Sequence, residues 1–244
     1  MREATFEITE NAPIAEGIYR LALRGDASAF TAPGQFANLK LEGFFLRRPI
    51  SVCDWTPEGL TLIYKVLGRG TEAMTAYPAG KTLDVLTGLG NGFDTAKSGE
   101  TPLLVGGGVG IPPLYGLAKR LIAEGKKPHA VLGFNSAGEI FLVKEFEALG
   151  VAVTLCTADG SAGVRGLVTD GMAAAGEYSF LYTCGPEPML KAVWEVCKSG
   201  GEFSFEERMG CGFGACMGCT CETKYGHKRI CRDGPVLEKG EILW

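Results

Sequence analysis

The chain has 244 residues, 46% hydrophobic and 21% charged, enough to bury more than one core. Its formal net charge of −4, with no long basic run, excludes a nucleic-acid partner held through phosphate contacts. The most apolar stretch, around residues 103–118, is broken by glycines and by Pro112-Pro113, which excludes a membrane span there.

The first ten residues carry no apolar core of a secretory signal, and nine cysteines accompany them in the chain. A disulfide framework is therefore not expected, and a reducing, cytoplasmic setting is. From residue 1 to about 98, short alternating runs are separated by turns such as Ala32-Pro33-Gly34 and Pro57-Glu58-Gly59. The runs are Ala4–Thr9, Ile18–Leu23, Gln35–Leu41, Pro49–Cys53, Leu60–Val66 and Thr82–Leu86, the pattern of a small antiparallel β-barrel. Within it, Arg48-Pro49-Ile50-Ser51 sets an arginine beside a rigid proline, a combination that can hold a pyrophosphate, and Ser51 can hydrogen-bond a ring system. Further on stand Ile63-Tyr64-Lys65, then Gly70-Thr71 at the start of a short helix, whose free N–H groups suit an anion. Each piece alone reads equally as a surface turn; their order inside one barrel gives them weight.

From residue 99 to 206 the rhythm becomes strand–helix alternation. The strands are Thr101–Val105, His129–Phe134, Val151–Cys156, Ser179–Cys184 and Glu202–Glu206. The helices start at Pro112 or Pro113, at Val143, at Leu167 and at Glu187, and the whole predicts a doubly wound parallel sheet. Gly106-Gly107-Gly108-Val109-Gly110 follows the first strand. It is not the strict dinucleotide fingerprint, yet its place lets backbone approach a pyrophosphate at a helix N-terminus. Cys184-Gly185-Pro186 closes a later strand at the carboxyl edge, where ligands of such sheets bind. No basic cluster follows the second or third strand, which leans to NAD over NADP. Neither histidine, His129 nor His227, joins a nucleophile or an acid–base pair, so no catalytic residue is assigned.

Residues 207–244 hold Cys211, Cys216, Cys219 and Cys231, in the spacing C-x4-C-x2-C-x11-C. The first three match the plant-type [2Fe-2S] pattern, and Gly210, Gly212, Gly214 and Gly218 let a tight loop bend around a cluster. A zinc site would use pairs such as Cys216/Cys219, and Cys221 could stand in for Cys219 but is read as a nearby thiol that does not ligate. The leading C-x4-C arm and the glycine density favour iron–sulfur.

A barrel with Arg-Pro-x-Ser, a glycine-turn nucleotide domain with Cys-Gly-Pro-x-x-Met and a terminal four-cysteine loop together resemble the ferredoxin–NADP reductase superfamily. More closely, Glu207-Arg208-Met209-Gly210-Cys211 and Cys231-Arg232-Asp233-Gly234-Pro235-Val236 are similar to the electron-transfer subunits of dihydroorotate dehydrogenase B. The resemblance implies FAD on Arg48–Ser51, Ile63–Lys65 and Gly70-Thr71, and a [2Fe-2S] cluster on the four cysteines. It also implies a separate FMN-containing subunit that oxidises dihydroorotate, in a heterotetramer of two of each. Electrons would run from that subunit through cluster and FAD to NAD+, a step of pyrimidine biosynthesis. The loop edge near Phe213 and Met217 is the expected docking surface. Two alternatives remain: a similar reductase of a sulfur-, ferredoxin- or oxygenase-linked complex, and a colourless nucleotide sensor with structural zinc.

Overall fold

The computed structural model describes all 244 residues. Alternating apolar side chains in the first third turn inward around Phe6, Ile8, Leu21, Leu39, Leu62 and Val85 and close a six-stranded antiparallel barrel. Its strands are β1 (Arg2–Ala15), β2 (Ile18–Arg24), β3 (Phe36–Leu39), β4 (Arg48–Thr56), β5 (Gly59–Lys65) and β6 (Thr82–Leu89), in the order β1-β2-β5-β4-β3-β6. Helix α1 (Arg69–Thr75) covers one end, with Met74 buried in the barrel core. β1 is longer than its alternation suggests because it changes partner. Its first half pairs with β6, and its second half with β2.

The second domain alternates β7 (Leu103–Gly107), α2 (Ile111–Ala123), β8 (His129–Phe134), α3 (Val143–Ala148), β9 (Ala152–Thr157), β10 (Val164–Arg165), α4 (Val168–Ala175), β11 (Leu181–Cys184), α5 (Glu187–Val196) and β12 (Gly201–Ser204). These strands are parallel, in the order β10-β9-β8-β7-β11-β12. Along β7, Leu104 turns to one core with Leu114, Leu117 and Leu121 of α2. Leu103 and Val105 turn to the other, with Leu190 and Val193 of α5. That two-sided burial explains the unbroken apolar run of the first strand.

The tail forms a hairpin, β13 (Thr220–Thr223) and β14 (Gly226–Arg229), then α6 (Ile230–Asp233) and β15 (Val236–Glu238). β15 adds antiparallel to β12, pairing Phe203 with Leu237 and Ser204 with Val236. Cys219, Ile230 and Cys231 are thereby buried in the same core as Val105, Phe203 and, from the barrel, Phe36. Asn91 fastens the tail to the barrel side: its Nδ2 donates to the Val236 carbonyl at 2.7 Å, and its Oδ1 accepts from the Val236 N–H at 3.1 Å. Lys97 bridges the buried Glu202 at 3.1 Å and Glu238 at 2.7 Å.

Candidate functional site

β4 and β5 bring Arg48, Pro49, Ile50, Ser51, Ile63, Tyr64 and Lys65 to one cleft of about 260 Å³, with Thr71 from α1. Arg48 meets no carboxylate. Its guanidinium donates to the carbonyl of Leu46 at 2.6 Å and lies over the Phe44 ring at 4.9 Å. A cation paired only with carbonyls and a ring face retains its charge for an anionic ligand. Gly70 lies directly against it, since a Cβ there would stand 2.2 Å from Arg48 Nε. The Tyr64 hydroxyl is already engaged, 3.0 Å from Asn11 Oδ1, and its ring stacks on Tyr19 at 5.6 Å. Lys65 turns to Glu139, 3.0 Å away, tying the barrel to the loop after β8.

The far wall of the cleft was not anticipated from sequence. It comes from Phe36, Val109, Phe205, Glu206, Glu207, Met209 and Pro235. One signal could have found part of it: Glu206-Glu207 follow β12 directly, at the carboxyl edge of the parallel sheet.

The glycine run divides. Gly106 and Gly107 belong to β7, pairing with β8 and β11, two residues beyond the strand end expected from the apolar run. The turn begins at Gly108, which takes the left-handed φ of +51°. Gly110 then seats α2 against the next loop: its Cβ position lies 2.2 Å from the Cys184 carbonyl oxygen and 2.6 Å from Gly185 Cα. β7 and β11 are the neighbours at which strand order reverses, so Gly106–Gly110 and Cys184–Pro186 form the two lips of the topological switch point. The Cys184 thiol does not take part in that mouth. It is buried, and burial with the nearby Glu206 pushes it up to about 12, leaving an inert wall.

The cysteine loop lies on the outer face of β3. Backbone N–H groups of Phe213, Ala215 and Cys216 point at the Cys211 sulfur, at 3.5, 3.2 and 3.5 Å. Those of Cys211 and Gly218 point at the Cys216 sulfur, both at 3.4 Å. Burial raises the Cys211 thiol, but the N–H groups of Cys216, Phe213 and Ala215 outweigh it and hold the thiol down at about 6. The Cys231 N–H donates to the Cys219 sulfur at 3.4 Å, and burial with that neighbour pushes Cys231 up to about 12. The hydrogen bonds thus group the sulfurs as two pairs, Cys211/Cys216 and Cys219/Cys231. Two pairs suit a two-iron cluster with two thiolates for each iron. Cys221, on β13, has its pKa raised chiefly by burial and faces a different hollow, with Glu206, Glu207 and Trp244. Phe213 and Met217 are 42% and 54% exposed on the loop's outer side.

Comparison with known proteins agrees with this layout. The family described as the iron–sulfur cluster binding domain of dihydroorotate dehydrogenase B matches residues 206–243, and the oxidoreductase NAD-binding domain matches 104–195. The dihydroorotate dehydrogenase B (NAD(+)) electron transfer subunit of Geobacillus sp. (strain WCH70) is 42% identical over 100% of this chain and 99% of its own. That of Shouchella clausii (strain KSM-K16) is 41% identical, covering 99% and 98%. Among solved structures, an NADH-dependent reduced ferredoxin–NADP oxidoreductase superposes with a TM-score of 0.89 at 30% identity, covering 98% of this chain and 90% of that one.

Proposed function

The chain belongs to the family of dihydroorotate dehydrogenase B electron-transfer subunits, and from that we propose that it links dihydroorotate oxidation on a partner subunit to reduction of NAD+. It is an oxidoreductase subunit using FAD, a [2Fe-2S] cluster and NAD, and the chemistry on dihydroorotate belongs to the partner. The assembly we expect is a heterotetramer with an FMN-containing subunit, in the cytoplasm. No helix of the chain is long and apolar enough to cross a membrane. Full-length relatedness to this family disfavours service to a sulfur-, ferredoxin- or oxygenase-linked complex.

The labour divides along the chain as residues 1–98 for flavin, 99–206 for nucleotide and 207–244 for the cluster. A flavin exchanges hydride with a nicotinamide and single electrons with an iron–sulfur centre, which is why both groups belong on one chain. The protein's own residues bind and orient. Arg48, backed by Gly70 and Thr71, would neutralise the flavin pyrophosphate; Pro49, Ile50 and Ile63 would supply a rigid apolar wall; Ser51, Tyr64 and Lys65 would complete the rim. Gly106, Gly107, Gly108 and Gly110 with Cys184, Gly185 and Pro186 would admit NAD at the switch point. Cys211, Cys216, Cys219 and Cys231 would hold the iron.

One observation carries the reading: Phe36 lines the cleft with one side and with the other shares a core with Cys219 and Cys231. Cleft and thiol loop are therefore neighbours on the outer side of the barrel, separated by the Phe36 side chain. An anaerobic absorbance spectrum, before and after NADH, tests it. Flavin bands with an iron–sulfur shoulder, bleached by NADH, are expected. Freshly prepared protein without visible absorbance would sink the proposal.

Arg48→Ala should weaken FAD binding by about 10- to 100-fold, since a charge-assisted hydrogen bond contributes roughly 1.5–3 kcal/mol. Flavin retained after dialysis, measured by absorbance per chain, checks this. Full retention would remove Arg48 from the site.

A further inference from the structure

Asn38 stands on the outer face of β3, 1% exposed, between the cleft strand and the thiol loop. In register it pairs with Pro49 of β4. Its Nδ2 donates to the Cys211 carbonyl at 3.3 Å, while its Oδ1 is buried with no partner. Its backbone is fixed as well, because Arg47 donates to the Asn38 carbonyl at 3.4 Å and to the Asp84 carboxylate at 2.9 Å. Gly212 comes so close that a Cβ there would meet Asn38 Nδ2 at 2.3 Å. An amide holding one hydrogen bond and burying an orphan oxygen is a poor choice for stability, and an apolar side chain of similar shape would avoid the orphan. What the amide does provide is a grip on one carbonyl at the root of the cysteine loop.

That carbonyl belongs to the residue whose sulfur receives three backbone N–H groups. The loop is gripped a second time on its other side, where Arg229 donates to the Gly214 carbonyl at 2.9 Å. With those carbonyls held, the loop turns the N–H groups of Phe213, Ala215 and Cys216 inward, Gly212 and Gly214 taking φ of +80° and +91°. Hydrogen bonds to cluster sulfurs favour the more negative, reduced state and so raise its potential.

Building on the cluster reading above, we propose that Asn38 is a positioning residue. By holding the Cys211 carbonyl it keeps the loop's N–H groups on the Cys211 sulfur, and so raises the reduction potential of the cluster seated there. Releasing it should lower that potential without touching the nucleotide site.

The test is a potentiometric titration of the whole protein followed by electron paramagnetic resonance, on wild type, Asn38→Leu and Asn38→Asp. Both variants keep the branched shape of the side chain; leucine cannot donate to Cys211, and aspartate cannot once ionised, so the titration is run above the pH at which that carboxyl ionises. Each is expected to shift the cluster's oxidised-to-reduced ratio at fixed potential about tenfold toward oxidised, a drop of ~59 mV for a one-electron couple. The resonance line shape should change with it, while NADH bleaches the flavin at the wild-type rate. Loss of iron from Asn38→Leu with flavin and NADH response intact also supports the holding role. An unshifted potential and spectrum in a loaded Asn38→Leu would overturn the proposal, as would loss of flavin together with iron, which would mark Asn38 as a general structural residue. Absence of any cluster resonance in the wild type would instead overturn the iron–sulfur reading itself.

Discussion

Replacing Cys231 by serine is expected to strip the iron from the chain while leaving its flavin in place. Cys231 is 2% exposed and forms the inner thiol pair with Cys219. A serine hydroxyl fits the space but does not ionise as a thiol does, and one iron would be left with a single thiolate. Losing even an outer-shell partner of a metal commonly costs 10- to 100-fold, so losing this ligand should cost more than about 100-fold in electron transfer from the dihydroorotate side to NAD+. NADH should still bleach the flavin, because cleft and switch point lie outside the loop. Iron and acid-labile sulfide per chain, with the NADH-driven spectrum, read both outcomes at once. Cys221→Ser supplies the comparison. Cys221 lines the hollow with Trp244 and not the loop of inward N–H groups, so that variant should keep its iron. Iron retained in Cys231→Ser, or lost in Cys221→Ser, would redraw the ligand set.

Much of this site was legible because its signals are local. Cys211, Cys216 and Cys219 lie within one turn-rich segment, and Arg48–Ser51 within one strand, so spacing alone sets their neighbours. What escaped was brought together from a distance. The hairpin Thr220–Arg229 is too short and polar to show alternation, although Cys231, which it carries back to Cys219, was already read from the spacing. Phe205, Met209 and Pro235 reach the cleft wall only because β15 pairs with β12. Asn38 reads as a strand residue in an apolar run; its meaning lies in a contact with a residue 173 positions away. The end of β7 was misplaced by two residues for a different reason. Glycine weakens a strand on its own, but here parallel neighbours on both sides supply the ladder. Tight packing also excludes side chains: a Cβ on Gly107 would meet Met189 Sδ at 2.5 Å.

The same crowding makes Gly110→Ala a damaging single methyl at the mouth of the nucleotide domain. Gly110 has an ordinary φ of −79°, so alanine would adopt its backbone without strain. The cost is space alone. The new Cβ would stand 2.2 Å from the Cys184 carbonyl oxygen and 2.4 Å from its carbon. No rotamer change relieves a clash with backbone, so α2 and the Cys184–Pro186 loop must part. Overpacking of this kind costs roughly 1–3 kcal/mol, about 2–4 °C in Tm for each kcal/mol in a chain of this size. Function should suffer more than stability, because the gap opens at the two lips where the nucleotide would enter, and NADH affinity should fall by at least about tenfold. Gly108→Ala separates the two kinds of cost. Gly108 has φ of +51° but nothing within 4 Å of its Cβ position, so alanine there meets about 1–2 kcal/mol of backbone strain and no clash. If close packing governs the mouth, thermal melts and NADH titrations should rank Gly110→Ala well below Gly108→Ala in affinity. Equal affinities would mean that turn conformation, and not the approach of α2 to Cys184, shapes the site.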